Sequence, residues 1–265
     1  MVTAPRLSWA GPDGWCASAC PPPERAVLVD SFLAVDGRVR DLGDHEERFR
    51  GGCAALGLPT AGLPSFLEAA RTVLPREGRW FPRFEAHADG GLVIWLREAP
   101  APAREVRLRV HPGPDPRRHP RLKGPDLAVL AELRRQAVEH GADDAVLTGP
   151  GGVVLEAAHS GLLWWHGDRL HVPDPDLPIL PSVTVGRLLR VARAESVDVT
   201  PRRCTPEALA GAEVWAVNAL HGIRPVTGWR GGGPTDPVAD PDRTRLERFR
   251  EHLAAPAAPA AAHPR

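Results

Sequence analysis

Residues 121–145, RLKGPDLAVLAELRRQAVEHGADDA, decide the fold. Lys123 stands near the start of this stretch, and Pro125, two residues later, favours the first turn of a helix. The apolar residues that follow have helical spacing and predict an amphipathic helix to about His140. Gly141 is typical of the residue that ends a helix. The stretch therefore predicts a loop that carries one amine and leads straight into a helix.

Lys123 is the only lysine in the sequence. Lys and Arg together number 33, so the other 32 cationic residues are arginines. Arginine stays protonated in proteins, whereas lysine becomes a neutral nucleophile when its surroundings lower its pKa. A lone lysine among so many arginines is therefore a candidate for amine chemistry. The alternative is that a single lysine codon survived by chance.

The composition is that of an ordinary globular protein of 265 residues, with 43% hydrophobic and 25% charged residues. The formal net charge is zero, so the basic surplus typical of a nucleic-acid binder is missing. No apolar run approaches the ~18 residues of a membrane span. The spacing of the cysteines fits no zinc template. We therefore expect no nucleic acid, membrane or metal partner, and a cytoplasmic protein with free thiols.

The pattern of helices and strands around Lys123 predicts an α+β protein of two domains. Predicted strands cover 26–35, 38–42, 79–88, 92–97, 105–110, 145–148, 153–156, 162–165, 169–172, 213–217 and 222–226, and further helices cover 44–56, 64–74, 182–194 and 242–253. The predicted domains are an N-terminal α/β domain over 1–98 with an irregular arm over 1–24, an Ala/Pro linker over 99–103, a C-terminal domain over 104–253 and a disordered tail over 254–265.

Several further residues would suit the binding of a phosphorylated pyridine aldehyde. The amine of Lys123 would condense with the aldehyde, and Glu156, at a strand end, would pair with the pyridine N–H. Arg48, one helical turn after His45, would hold the phosphate as a fork. The helix start near Ser182 would add backbone N–H groups to the phosphate. Each feature alone has an ordinary structural explanation, such as a helical arginine on the surface.

Six segments in this order resemble the class IV aminotransferases, which include branched-chain and D-amino-acid aminotransferases and aminodeoxychorismate lyases. The resemblance runs from about Val27 to Val226. The segments are Asp36-Gly37-Arg38-Val39 with His45-x-x-Arg48-Phe49, Arg121-Leu122-Lys123, Gly141-Ala142-Asp143-Asp144-Ala145, Gly152-Val153-Val154-Leu155-Glu156, Leu180-Pro181-Ser182-Val183-Thr184, and Asn218-Ala219-Leu220 with Pro225-Val226. The resemblance implies a two-domain fold type IV enzyme, a pyridoxal phosphate (PLP) site between the domains, and a homodimer.

The resemblance also implies roles for individual residues. The lysine that matches Lys123 forms a Schiff base with PLP and moves the proton at the substrate α-carbon. Arg83 matches a position where some members bind the substrate carboxylate. The implied cofactor-binding residues are Arg48, Glu156, Ser182, Val183, Thr184, Asn218 and Ala219.

The substrate stays open among three interpretations. One is an aminodeoxychorismate lyase, which converts 4-amino-4-deoxychorismate to 4-aminobenzoate and pyruvate in folate biosynthesis. The segment from Asn218 to Leu220, with Pro225 after it, favours this lyase. The second is an amino-acid transaminase of the branched-chain or D-amino-acid type that uses a 2-oxo acid. The third is a non-catalytic remnant of the fold, because the chain has no Tyr and has Gly161 where Asn is common in the family.

Overall fold

The computed structural model describes residues 5–16, 26–59, 61–234, 238–254 and 258–260. Its strands and helices are, in chain order, β1 (Arg6–Trp9), β2 (Trp15–Cys16), β3 (Ala26–Ser31), β4 (Ala34–Val35), β5 (Arg38–Val39), α1 (Leu42–Ala55), α2 (Leu63–Thr72), β6 (Arg79–Trp80), β7 (Arg83–His87), β8 (Leu92–Trp95), β9 (Val106–Val110), α3 (Leu127–Glu139), β10 (Asp144–Thr148), β11 (Val154–Ala157), β12 (Gly161–His166), β13 (Arg169–Pro173), α4 (Val183–Ala194), β14 (Val199–Arg202), β15 (Glu213–Asn218), β16 (Gly222–Trp229), α5 (Arg243–Ala254) and β17 (Ala258–Pro259).

These elements form two compact units. Unit 1 contains Met1–Ala101, Leu122–Pro125 and Pro256–Arg265, and unit 2 contains Pro102–Arg121 and Asp126–Ala255. The change from unit 1 to unit 2 after Ala101 falls inside the Ala/Pro segment that the sequence marks as a linker. The assignment of Leu122–Pro125 to unit 1 differs from the prediction, which places Lys123 in the C-terminal domain.

Unit 1 contains two antiparallel sheets. The larger has the strand order β2-β1-β8-β7-β3, and the smaller has the order β17-β5-β4-β6. The predicted single strand over 26–35 is divided between them, because the chain leaves β3 after Ser31 and enters β4 at Ala34. Phe32, at this break, is fully buried, so the bend places an aromatic ring in the core of the unit.

Phenylalanine rings form the centre of the unit 1 core. The ring centroid of Phe84 on β7 lies 4.9 Å from that of Phe32, 5.6 Å from that of Phe49 on α1 and 5.7 Å from that of Phe66 on α2. Rings at these separations contribute about 0.5–1.5 kcal/mol a pair beyond the area that they bury. Because β7 and both helices supply rings to it, this cluster fixes the two helices on the larger sheet.

The irregular arm predicted over residues 1–24 is wrong where the structure describes it. β1 pairs with β8 through Leu7 and Ile94, and β2 continues the sheet beyond β1. Leu7 and Trp9 are partly buried against the unit 1 core, so apolar contact stabilises a strand too short to show a clear periodicity. Residues 1–4 and 17–24 of the predicted arm lie outside the described part of the chain.

The predicted disordered tail also differs from the structure, at residues 258–260. Ala258 pairs with Val39 on β5, and the backbone N–H of Ala260 donates to the Gly37 carbonyl at 3.2 Å. An Ala/Pro sequence has little side-chain surface to bury, so backbone pairing with a strand edge is what orders these residues. Residues 255–257 and 261–265 lie outside the described part of the chain.

Unit 2 is built on a mixed eight-stranded sheet with the order β11-β10-β9-β16-β15-β12-β13-β14. β9 is parallel to both β10 and β16, β13 is parallel to β14, and the other neighbours are antiparallel. α3 begins directly after Asp126 and ends before Gly141, as its flanking residues predict. Its buried Leu133 and Ala137 pack with Leu147 of β10.

α4 and α5 pack with the middle strands of this sheet. Trp165 and Trp215 have ring centroids 5.5 Å apart, and both lie within 5.6 Å of the ring of Phe249 on α5. The guanidinium carbon of Arg245 stands 4.3 Å from the centre of the Trp165 ring. The tryptophan pair is thus a structural core element. None of the described helices combines the length and the apolar character that crossing a bilayer would require.

Candidate active site

Lys123 lies in a segment that is hydrogen-bonded to β3. Its backbone carbonyl accepts from the N–H of Val29 at 2.8 Å. The next residue, Gly124, has a φ of +150°, and a Cβ built there would be 2.6 Å from the Cα of Leu28. Only glycine therefore permits so close an approach to the strand. The half-buried Lys123 is fixed at its backbone to unit 1, although it follows a long segment of unit 2 in the sequence.

Arg48 and His45 on α1 converge on Asp30, the residue that follows Val29. Arg48 donates to Asp30 Oδ2 through Nε at 2.7 Å and to Oδ1 through Nη2 at 2.8 Å. His45 Nδ1 lies 2.7 Å from Oδ1 of the same carboxyl. Burial alone would raise the pKa of Asp30, but the charge of Arg48 and the hydrogen bond to His45 outweigh it and lower the pKa to about 2. Asp30 thus stays ionised and orients Arg48.

Ser31, the next residue of β3, lies beside two arginines, Arg83 and Arg97. Ser31 pairs with Arg83 across the β3–β7 ladder, and its hydroxyl accepts from Arg97 Nη2 at 3.1 Å. Arg83 donates to the buried Glu85 through Nε at 2.7 Å, and its guanidinium lies 4.8 Å from the Trp95 ring centre. Burial and the charge of Arg83 lower the pKa of Arg97 to about 10. Positive charge is therefore concentrated at this end of β3.

Glu85 is the carboxylate shared by this group of arginines. Arg6 on β1 and Arg83 both donate to it. Burial would raise the pKa of Glu85, but the nearby His87 ring, the hydrogen bond from Arg6 and the charge of Arg83 lower it to about 2. Three guanidinium groups, including that of Arg97, thus lie around a single negative charge.

In unit 2, Glu156 is held at the end of β11 by two donors. Arg117 Nη1 and the backbone N–H of Leu180 reach its Oε1 at 2.5 and 2.8 Å. Arg117 also donates to both carboxylate oxygens of Asp115, at 2.8 to 3.1 Å, and to the carbonyl of Pro178. Both Arg117 and Glu156 are almost completely buried. The carboxylate is therefore preorganised within unit 2.

Ser182 is the N-cap of α4. Its backbone is extended, and its Oγ accepts from the N–H of Val185 at 3.3 Å. Val183 and Thr184 form the first turn and are buried. A Cβ on Gly161 would meet Val185 at 2.6 Å, so this glycine lets β12 approach the helix start. The first N–H groups of such a helix are available to an anion.

Asn218 and Ala219 lie where β15 turns into β16. The side-chain amide of Asn218 donates to the His159 carbonyl at 3.1 Å and to Ser160 Oγ at 3.2 Å, and its oxygen accepts from the His221 N–H at 2.8 Å. These bonds hold the loop that follows Glu156. Asn218 is therefore fixed by its neighbours, and the cofactor contacts of Asn218 and Ala219 stay a prediction.

Sequence reasoning predicted Lys123, Arg48 and Glu156 as site residues, and this stays a prediction. It missed Asp30 and Arg117, which orient Arg48 and Glu156. Asp30 carries one signal, since it is a carboxylate within the apolar strand Ala26–Ser31. A charge in that position is expected to be paired. Arg117 carries no such signal, because it is one of several arginines in a Pro-rich loop.

Comparisons with known proteins address the fold. The family model described as amino-transferase class IV matches residues 27–229. No curated protein matches the chain. Among solved structures, the fold IV transaminase CpuTA1 from Curtobacterium pusillum is 18% identical, with 95% of this chain and 97% of that chain covered and a TM-score of 0.79.

Two further structures are similar. A hypothetical aminotransferase from Mycobacterium tuberculosis with bound alpha-ketoglutarate and PMP is 21% identical, covering 95% of this chain and 98% of its own, with a TM-score of 0.79. A candidate 4-amino-4-deoxychorismate lyase from Legionella pneumophila is 18% identical, covering 86% and 90%, with a TM-score of 0.73. These likenesses confirm the predicted α+β fold of type IV.

Proposed function

This chain belongs to the class IV aminotransferases, and from that premise we propose that Lys123 is its catalytic residue and the point of covalent attachment for PLP. Membership makes the chain a PLP-dependent enzyme, which argues against a non-catalytic remnant of the fold. The observation that carries the proposal is the arrangement along β3. Val29 holds the backbone of Lys123, and Asp30 holds the guanidinium of Arg48.

The residues present fit the polar groups of PLP. The amine of Lys123 suits the aldehyde, and the oriented guanidinium of Arg48 suits the phosphate. The first turn of α4, capped by Ser182, offers further N–H donors for the phosphate. The carboxylate of Glu156 suits the pyridine nitrogen. We propose that these residues bind the cofactor, together with Val183, Thr184, Asn218 and Ala219.

Bound PLP supplies an electron sink that makes the hydrogen at the substrate α-carbon acidic. Lys123 Nζ takes this proton as a general base, for which the amine must be neutral. Glu156 keeps a proton on the pyridine nitrogen through its negative charge. Arg48 balances the negative charge of the phosphate. Because Asp30 orients its guanidinium, Arg48 also holds the phosphate end of the cofactor in place.

Arg83 is proposed to bind the carboxylate of the substrate. The pair of guanidinium groups on Arg83 and Arg97 supports this role. Burial and the charge of Arg83 lower the pKa of Arg97 to about 10, and an anion placed there would relieve the repulsion between the two groups. Arg83→Gln is expected to raise KM about tenfold with a smaller change in kcat. An unchanged KM would exclude this role for Arg83.

For the reaction we propose an aminodeoxychorismate lyase activity, which yields 4-aminobenzoate and pyruvate for folate synthesis. The segment Asn218-Ala219-Leu220 with Pro225-Val226 supports it, as does the fold shared with the Legionella pneumophila structure. The second candidate is an amino-acid transaminase of branched-chain or D-amino-acid type. It is favoured by the fold shared with the Mycobacterium tuberculosis structure that binds alpha-ketoglutarate and PMP.

One pair of assays separates these activities. The lyase releases pyruvate from aminodeoxychorismate without any added 2-oxo acid, which coupled oxidation of NADH by lactate dehydrogenase detects. The transaminase converts the cofactor to pyridoxamine phosphate when an amino acid alone is added, which the absorbance spectrum detects. Absence of pyruvate together with this spectral change would contradict the lyase, and Lys123→Ala is the control that should lack both signals.

Two further proposals concern the state of the protein. We propose a homodimer, by analogy with the family, for which light scattering is expected to give twice the chain mass of 28.6 kDa. A cytoplasmic location is supported by the free thiols of Cys53 and Cys204. A monomeric mass at micromolar concentration would contradict the dimer.

A further inference from the structure

Arg117 connects three separate segments of unit 2. Its side chain is 4% exposed and contacts Asp115 in its own loop, Glu156 on β11 and the carbonyl of Pro178. Leu180, two residues after Pro178, donates its N–H to the same oxygen of Glu156 that Arg117 reaches. One buried guanidinium therefore ties Glu156 to the segment that leads into the N-terminus of α4.

Two carboxylates determine the charge state of Arg117. Arg117 lies between two carboxylates, Asp115 and Glu156, whose side chains are 11% and 9% exposed. Burial alone would lower the pKa of Arg117, but its hydrogen bonds to Asp115 and the charge of Glu156 outweigh it and raise the pKa. Arg117 therefore stays charged between the two carboxylates.

Arg121, a neighbouring arginine, serves as a control. It distinguishes support of the segment before α4 from the effect of positive charge on Glu156. Arg121 donates through Nη2 to the carbonyls of Pro175, Asp176 and Leu177, at 3.3, 3.0 and 2.9 Å. Like Arg117 it holds the segment before α4, but these bonds end on carbonyls and not on Glu156. Loss of Arg121 loosens the same segment and leaves the buried ion pair in place.

We propose that Arg117 is a positioning residue that keeps Glu156 ionised and aimed, so that Glu156 can hold a proton on the pyridine nitrogen of the cofactor. The inference rests on the proposed function, since Glu156 needs this charge only if it binds that nitrogen. Without Arg117, a buried carboxylate loses its guanidinium partner and favours its neutral form, which leaves the pyridine nitrogen unprotonated.

The test uses the full-length protein loaded with PLP that carries 15N at the pyridine position. The 15N chemical shift reports whether this nitrogen is protonated, and quenching of tryptophan fluorescence gives the Kd for PLP. In wild type the nitrogen is expected to be protonated. In Arg117→Met it is expected to be neutral, with Kd weakened about 10- to 100-fold, as when a hydrogen-bonded support of a binding residue is removed.

Two variants complete the design. Arg117→Lys keeps a positive charge and is expected to restore the protonated signal, while Arg121→Met is expected to keep that signal whatever its Kd. If Arg117→Met does not fold, Arg117→Gln gives the same comparison with neutral hydrogen bonds retained. The wild-type signal in Arg117→Met or in Arg117→Gln would overturn the role of Arg117. Failure of wild type to bind PLP would instead overturn the proposed function.

Discussion

Replacing Asp30 by Asn tests whether one buried carboxylate organises the candidate site in unit 1. Asp30 is fully buried, and its pKa falls from 3.8 to about 2 because Arg48 and His45 outweigh the effect of burial. A shift of one unit corresponds to about 1.4 kcal/mol, so the ionised group adds roughly 2 kcal/mol to the free energy of unfolding at pH 7. Since the pKa is lowered on folding, this contribution is present above pH ~4 and is lost as the pH falls towards 2.

The assay is urea unfolding of wild type and Asp30→Asn, at pH 7 and at steps down to about pH 3. The variant is expected to lose roughly 2 kcal/mol at pH 7 and to show a shallower decline of stability below pH 4. The exposed Asp89 accepts a backbone hydrogen bond from Gly91, and Asp89→Asn is the control, with an expected change under about 0.5 kcal/mol. Equal stabilities of wild type and Asp30→Asn at pH 7, with parallel pH curves, would refute the proposed ion pair.

Other predictions concern the glycine contact, the cofactor partners and a buried thiol. Gly124→Ala is expected to lower the free energy of unfolding by roughly 1–3 kcal/mol, because the added Cβ meets the β3 backbone. Gly51→Ala, on the open face of α1, is the control and should not lower the stability of the protein. Equal urea midpoints for the two would contradict this contact. Arg48→Ala should weaken PLP retention on gel filtration, and Glu156→Ala should lower kcat; unchanged values in both would undo the site assignment. Burial raises the pKa of Cys53 to about 11, so iodoacetamide at pH 8 should modify it only after unfolding, as peptide mass spectrometry can show.

Local signals in the sequence predicted most of the regular structure. Ser182 caps α4, and Asp126 and Gly141 flank α3, because caps and helix stops act over only a few residues. Asp36 and Gly37 both have positive φ in the turn between β4 and β5, as their residue types favour. Elements with such local determinants can be read from one sequence.

Features that depend on distant partners could not be predicted in this way. The location of Lys123 in unit 1 depends on a hydrogen bond to Val29 and on the close packing of Gly124, which no local pattern reveals. The ion pair between Arg117 and Glu156 also joins residues far apart in the sequence. β1 was missed because its short run is ordered by contact with the unit 1 core.

Reduction with borohydride after incubation with PLP tests the catalytic assignment most directly. Peptide mass spectrometry of the treated protein is expected to find the reduced phosphopyridoxyl group on the peptide that contains Lys123, with the visible absorbance of the cofactor lost. Since the chain has no other lysine, a second side-chain amine cannot substitute for it. Recovery of that peptide unlabelled, from a protein saturated with PLP, would contradict the account.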